Sequence, residues 1–505
     1  MRSRKLDVFL LISAVAITRF VFRSHYLYDL DSVNFALGME HFAPRVHQPH
    51  PPGYFLYICL GRLLNVICHD ANLALVVLSI LASCGVVVLV YYMTLEWFNQ
   101  RAARFAGILF LVSPLAWFHG IVALTYSVEA FFSALLGYLC WRVYSGSYGY
   151  IVPAAIALGI SAGVRPSSIL FLGPIFLFSL TRVRLKGIFL GMLALVLTLT
   201  AWFLPMIAAS GGFDAYFGAL ISLWRAVPSK DTVFNSSPAT SIDRAATIVF
   251  IYFLTFGLTA LVPLRWLNRK APVDLGKKIF TAVWITPALC FFTFIFLKFV
   301  NSGYLLLLAP AACIWLGFSM SEWYENSARP RAFKLAVIAF CAAVNVGIFV
   351  ASPLYCSYMS VRRFETELRS VLEALPQIAP AGNTLIVGFD SHFMGYRDAG
   401  YYLRDYLTLQ CPEVKLREGT RIFAMQNGDT RLIADLPSAS YSQFVFFPLP
   451  AKGNEYREYM KTVLGPLPSG SLRTVSAGGH NFVIAPISDL PLLFPRTALE
   501  QKQGK

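Results

Sequence analysis

Two carboxylates and two imidazoles stand close in the chain, at Tyr28-Asp29-Leu30-Asp31-Ser32 and His47-Gln48-Pro49-His50-Pro51-Pro52-Gly53-Tyr54. A third carboxylate, Glu129, ends Thr125-Tyr126-Ser127-Val128-Glu129. Arg165 in Gly163-Val164-Arg165-Pro166-Ser167, Lys298 in Leu297-Lys298-Phe299-Val300-Asn301-Ser302-Gly303-Tyr304, and Arg397 stand apart from the basic loops. A carboxylate can take the proton of a reacting hydroxyl. Cations placed where charge develops stabilise a departing anion. Together the acids with His50, Arg165, Lys298 and Arg397 describe a general base beside an anion site, and a phosphate at a membrane surface is the natural anion.

Each residue also has a plainer reading. Asp31 heads a predicted helix and could serve as its N-cap. Glu129 lies one turn inside the outward end of a hydrophobic span, where an acid must face a cavity or a partner, and an ion pair with an Arg would satisfy it. Arg165 and Lys298 sit at span ends and could snorkel to headgroups. Five of the eight histidines (His25, His41, His47, His50 and His69) crowd the first loop. With Asp29 and Asp31, His47 and His50 are candidate ligands for a divalent metal, although no HxH or HExxH spacing supports one.

The elements that must carry these residues are mostly membrane spans. The 505 residues are 57% hydrophobic and 14% charged, with mean hydropathy +0.60, against roughly 25% charged in soluble domains. Apolar runs long enough for a membrane core fall near 6–23, 73–93, 105–123, 125–144, 150–164, 168–181, 187–209, 245–264, 279–300, 303–320 and 334–352. The first lacks a small-residue cleavage site and is read as a retained span. Residues 353–505 hold 16 Lys/Arg against 14 Asp/Glu, so 13 of the net 15 positive charges lie in the hydrophobic part. Eleven spans place Arg2/Arg4/Lys5, Arg101/Arg104, Arg142, Arg182/Arg184/Lys186, Arg265/Arg269/Lys270/Lys277/Lys278 and Arg329/Arg331/Lys334 on one side, the cytoplasmic one. Nucleic-acid binding is not indicated, because no basic patch with interleaved aromatics occurs.

The expected architecture is an α-helical polytopic membrane protein with a transmembrane module over 1–352 and a soluble outward α/β domain over 353–505. Outward loops span 24–72 and 210–244. Helices are predicted at 31–42, 54–65 and 362–375, the first two lying in the membrane interface, and strands at 384–389, 443–447 and 482–485. The nine cysteines show no CxxC, and Cys59 with Cys68 or Cys356 with Cys411 are candidate outward pairs.

The set Asp-Leu-Asp-Ser, His50-Pro51-Pro52-Gly53-Tyr54, Thr125–Glu129, Ala162–Ser168 and Asn301–Tyr304 resembles the GT-C class of membrane glycosyltransferases. The branch it is most similar to holds protein O-mannosyltransferases and lipid A aminoarabinose transferases. The resemblance covers roughly residues 1–320. Gly395-Tyr396-Arg397-Asp398-Ala399-Gly400-Tyr401-Tyr402-Leu403 also looks like a segment of bacterial relatives. The resemblance implies transfer of a sugar from a polyprenyl-phosphate donor to a glycan, lipid or protein hydroxyl on the outer face of the inner (plasma) membrane, with inversion. It implies Asp31 as base, Asp29 as fallback, and His50 at the position that meets the donor phosphate. Ser32 stands where several relatives have Glu, a second acid that Glu129 or Asp29 would supply. The rival readings are a transporter or flippase of lipid-linked sugars, or a non-catalytic envelope scaffold. The polar residues cluster at outward span ends without an internal repeat, which argues against transport, and the absence of Trp-Trp-Asp argues against an oligosaccharyltransferase.

Overall fold

The computed structural model describes residues 2–226, 232–265, 274–353, 356–411, 416–417, 421–437, 440–448, 464–468, 470–494 and 496–497. Arg269 and Lys270 of the basic clusters and 227–231 of the second loop lie outside the described residues. By contact density the chain forms two compact units, Met1–His25 with Pro51–Ser360, and Tyr26–His50 with Val361–Lys505. The acid-bearing part of the first loop therefore belongs with the C-terminal residues.

The first unit is helical. It contains α1 (Arg2–Val21) and, after α2 (Leu30–Glu40) of the other unit, α3 (Phe55–Cys68), α4 (Ala71–Trp97), α5 (Gln100–Leu111), α6 (Pro114–His119) and α7 (Tyr126–Tyr144). There follow α8 (Ile151–Val164), α9 (Ser168–Ser179), α10 (Leu185–Ala209), α11 (Phe213–Ala226) and α12 (Pro238–Phe256). It ends with α13 (Leu275–Phe294), a 3-10 stretch Phe299–Leu307, α14 (Ala309–Asn326) and α15 (Arg331–Ala351). Among the described residues five helices are long and apolar enough to cross a membrane, or six if the 3-10 stretch and α14, bent by 68°, count as one span.

Helices occupy the stretches where spans are predicted, with four interruptions. The predicted span 245–264 passes at Gly257 from α12 into a 3-10 stretch, Gly257–Arg265, and the predicted span 303–320 begins in the 3-10 stretch ahead of α14. The predicted span 105–123 is broken, because Ser113 caps Ala116 N–H and Pro114 stands at the first helical position, which starts a new helix. The predicted span 279–300 stops at Phe294. The basic helix ends meet at one end of the unit. Asp7 accepts from Arg104 Nε, Tyr91 Oη and Gln100 Nε2, each at 2.8 Å. Arg142 reaches Glu96 at 3.2 Å, Lys277 Nζ donates to Trp97 O and Lys334 Nζ to Tyr324 O, both at 2.6 Å, and Arg101 pairs with Glu325.

The second unit carries a seven-stranded sheet. Its strands are β1 (Thr384–Gly388), β2 (Thr408–Gln410), β4 (Ile422–Gln426), β5 (Asp429–Ile433), β6 (Gln443–Phe446), β7 (Arg473–Ala477) and β8 (His480–Pro486), in the order β5-β4-β2-β1-β6-β8-β7. β3 (Leu416–Arg417) pairs apart with β9 (Arg496–Thr497). β1 runs parallel to β2 and β6, and the outer pairings are antiparallel. Among its described residues the helices besides α2 are α16 (Tyr358–Ile378), α17 (Tyr396–Tyr402) and α18 (Leu490–Leu493). α16 buries Val361, Phe364, Leu368, Val371 and Leu375, the stripe of an amphipathic helix. The sheet core holds Leu385, Val387, Leu409, Phe444 and Phe446.

The two first-loop helices differ from expectation and from each other. α2 is buried from Ser32 to Met39, so it has no face left for the membrane interface. Gly38 allows this, since a β-carbon there would lie 2.7 Å from Pro49 Cδ. α3 buries Tyr57, Ile58 and Gly61 and exposes Leu63, Val66 and Ile67, as a helix at a lipid boundary does. Among the described residues Cys59, Cys68, Cys84, Cys140, Cys290, Cys313 and Cys341 form no disulfide. Cys59 and Cys68 share α3, rising about 13 Å between them, too far for a disulfide.

Candidate functional site

In the second unit the capping role falls to Asp29 and not to Asp31. Asp29 is extended, and its Oδ1 accepts Asp31 N–H at 2.9 Å, satisfying an orphan donor of the helix start. Asp31 then stands in the first turn of α2 with 31% of its side chain exposed, and His50 Nδ1 lies 3.2 Å from its Oδ1. The turn Ala43–Gln48 sets that approach. Ala43 N–H donates to Gln48 O at 2.6 Å, Gln48 N–H returns to Ala43 O at 3.1 Å, and His47 adopts φ 60°. Asp31 and His50 are thus brought together, the acid inside the helix dipole's favourable end.

The β1–α17 loop adds two residues that the sequence reading did not single out. Leu30 N–H donates to His392 O at 3.0 Å, and His392 Nδ1 is 4.0 Å from Asp29 Oδ2. Enclosure by the surrounding protein pushes the Asp390 carboxyl up; Arg397 and His392 oppose this and the charge of Asp31 adds to it. Burial holds His47 neutral, its pKa down at about 4, with Arg397 and His50 contributing. Asp398 is buried and accepts Gly395 N–H at 2.9 Å. Burial lifts it to about 7 against that hydrogen bond, with Asp29 adding to the rise. Among the described residues no group of three or more His, Cys, Asp or Glu is placed to hold a metal, so the Asp29, Asp31, His47 and His50 set does not form one.

Arg397 is 1% exposed. Its guanidinium donates to Val46 O at 2.6 Å and to Thr430 Oγ1 at 2.9 Å, and lies over the Tyr396 ring at 4.9 Å. Its donors face the protein, which disfavours the donor-phosphate role.

In the first unit Glu129 and Arg165 form a buried ion pair, Nη1 to Oε1 at 2.6 Å, with side chains 4% and 8% exposed. Thr125 Oγ1 donates to the same carboxylate oxygen at 2.8 Å. The guanidinium lies 4.2 Å from the Tyr304 ring, 5.4 Å from Tyr126 and 5.6 Å from Tyr54. Gly303 closes the cluster, because a β-carbon there would overlap the Tyr126 ring. Four motifs meet at Arg165: the Pro-Pro-Gly-Tyr turn, Thr125–Glu129, Val164–Pro166 and Asn301–Tyr304. Tyr54, Tyr126 and Tyr304, in the three motifs that converge on Arg165, were the signal available in the sequence. Lys298 precedes the 3-10 stretch, exposed, its Nζ 5.9 Å from the Phe296 ring.

Comparison with known proteins bears on the fold that carries these residues. Residues 42–187 match the family described as Protein O-mannosyl-transferase TMEM260 N-terminal domain. No curated protein matches the sequence. Among solved structures, ArnT from Cupriavidus metallidurans bound to undecaprenyl phosphate is 13% identical, with TM-score 0.56 over 95% of this chain and 98% of that one. Its apo state gives 0.55 over 95% and 97%, also at 13% identity. The Archaeoglobus fulgidus oligosaccharyltransferase in complex with Zn and sulfate, 13% identical, gives 0.49 over 94% and 72%. The chain has the fold of the GT-C membrane glycosyltransferases and is similar to their O-mannosyltransferase and aminoarabinose-transferase branch.

Proposed function

We propose that the chain is an eleven-span membrane glycosyltransferase that moves a sugar from a polyprenyl-phosphate donor to an acceptor hydroxyl on the outer face, with inversion. The N-terminus then lies in the cytoplasm, and residues 353–505 lie outside the inner (plasma) membrane. The observation that carries the reading is the Asp31–His50 pair at the start of α2, a half-buried carboxylate steadied by an imidazole. Asp31 takes the proton of the acceptor hydroxyl as its oxygen attacks the anomeric carbon. The bond from that carbon to the phosphate oxygen breaks, and polyprenyl phosphate leaves with the electron pair. The leaving group is already an acceptable anion, so one base and cationic stabilisation suffice. Asp29 holds Asp31 through the cap and is the fallback base.

His50, held beside Asp31, is the residue proposed to meet the donor phosphate, and Lys298, in the first unit, is a separate candidate cation for it. Glu129 and Arg165 neutralise each other and tie the motif loops together, and a catalytic share for either would have to act through that pair. An apolar cavity of about 390 Å³ lined by Val249, Tyr252, Phe256, Ile285, Leu289 and Trp315 has the chemistry an isoprenoid tail needs. The ArnT structure, bound to undecaprenyl phosphate, supports that donor class. Mass spectrometry of lipid-linked sugars and surface glycans in cells with and without the gene tests the reading. A lost glycan with an accumulated polyprenyl-phosphate sugar is expected; identical profiles would contradict it.

A further inference from the structure

We propose that Arg397 is a positioning residue for Asp31 and His50, acting by holding the Ala43–Gln48 turn. This rests on the glycosyltransferase reading above. Arg397 stands in the first turn of α17, immediately beyond the loop that follows β1. One arm of its fork takes Val46 O at 2.6 Å, the other Thr430 Oγ1 on β5 at 2.9 Å. The Phe423 ring lies 5.8 Å from the guanidinium and 5.8 Å from the His47 ring. The turn is therefore pinned through its backbone at Val46 and flanked at His47. Two residues on, Gln48 Nε2 donates to Gly428 O at 3.1 Å, a second tie to the β4–β5 hairpin.

The other end of the segment is fixed by the same module. Leu27 N–H donates to Tyr402 Oη at 2.9 Å, and Leu30 N–H to His392 O at 3.0 Å. Glu40 at the end of α2 pairs with Arg404, whose Nη1 lies 3.1 Å from Oε2. Asp31 and His50 thus approach each other from two stretches that meet only because both are fastened to residues 392–430. Between Glu40, where α2 ends, and His50 the chain has only the 3-10 turn Pro44–Val46 and the Ala43–Gln48 bridge, with His47 at φ 60°, so no long ladder holds that stretch. Arg suits the position because its planar fork reaches two acceptors with fixed geometry, which an ammonium cannot.

A displacement of about 1 Å at a reacting group lowers rate by roughly 100-fold. In the full-length protein in detergent micelles, assayed with a synthetic polyprenyl-phosphate sugar, Arg397→Met should lower kcat 10- to 100-fold, with a smaller rise in donor KM through the displaced His50. Arg397→Lys, able to keep one hydrogen bond, should recover part of kcat. Thr430→Val tests the same strut without removing a buried charge. It should reduce kcat several-fold and raise amide exchange at Ala43 and Gln48 while β1 stays protected. A raised donor KM with unchanged kcat in Arg397→Lys would make Arg397 a phosphate ligand and overturn the proposal. So would unchanged kcat and exchange in Thr430→Val. A wild type that transfers no sugar strikes the functional reading instead, so the two failures are distinct.

Discussion

Replacing one partner of the Glu129–Arg165 pair separates a buried structural pair from a pair of substrate-facing groups. Arg165→Met removes the cation from a carboxylate that is 4% exposed and keeps only Thr125 Oγ1 as a partner at 2.8 Å. Breaking a buried pair by deleting one partner costs about 3–5 kcal/mol, because the other charge is left uncompensated. The lost contact with the Tyr304 ring, 4.2 Å from the guanidinium, adds on the order of 1 kcal/mol. Glu129→Gln keeps an acceptor for the guanidinium and the aromatic rings around it, so its loss should be smaller, about 2–3 kcal/mol. The double variant Glu129→Gln/Arg165→Met carries no buried charge and should be more stable than Arg165→Met alone, with a coupling of roughly 2 kcal/mol or more. Unfolding in mixed micelles, followed by tryptophan fluorescence, gives the four corners of the cycle. Additive losses, or an Arg165→Met variant within about 1 kcal/mol of wild type, would refute the pairing argument.

Gly303→Ala should be harmful although it adds only a methyl group. Its β-carbon would overlap the Tyr126 ring, and overpacking of this kind costs about 1–3 kcal/mol, measurable as a drop in the unfolding midpoint. Asp398 carries a carboxyl raised to about 7 by burial, so the folded chain holds a proton that the unfolded chain releases near pH 4. Its contribution is fully present below that pH and is lost as pH rises through 7. Asp398→Asn, which keeps the acceptor for Gly395 N–H, should therefore stabilise the protein at pH 8 relative to wild type and do nothing at pH 4; equal effects at both would contradict the assignment. Lys298→Ala should raise the donor KM with little change in kcat, and an unchanged donor KM would remove Lys298 from the donor site.

The sequence carried the helices well, because apolar length and loop charge are local signals. The basic clusters at Arg104, Arg142, Lys277 and Lys334 indicated which helix ends belong together, and they do meet. What could not be read was long-range. Nothing local distinguishes Asp29 as cap from Asp31 two residues later, since both are good capping residues at an extended-to-helix step. The all-round burial of α2 was hidden for the same reason: its periodicity suggests one apolar face, and the rest is covered by Pro49 from the following turn and by α17, more than 350 positions away. Glu129 and Arg165 are each recognisable as expensive at a span end, and an ion pair is one way the sequence offers to satisfy them. His392 and Asp390 gave no signal, because a short loop after a strand acquires meaning only when Leu30 docks on it. Arg397 was noticed as a cation, yet its burial against Val46 turns it from a ligand candidate into a strut.

The measurement that bears most directly on the account is sugar transfer by purified Asp31→Asn protein. The substitution keeps the size of the side chain beside His50 and removes its basicity. Asp31→Asn should bind the polyprenyl-phosphate sugar with near wild-type affinity, unfold at the wild-type midpoint, and transfer at least 1000-fold more slowly, about 4 kcal/mol in the barrier. Transfer within 10-fold of wild type, in a protein of normal stability, would contradict Asp31 as the base.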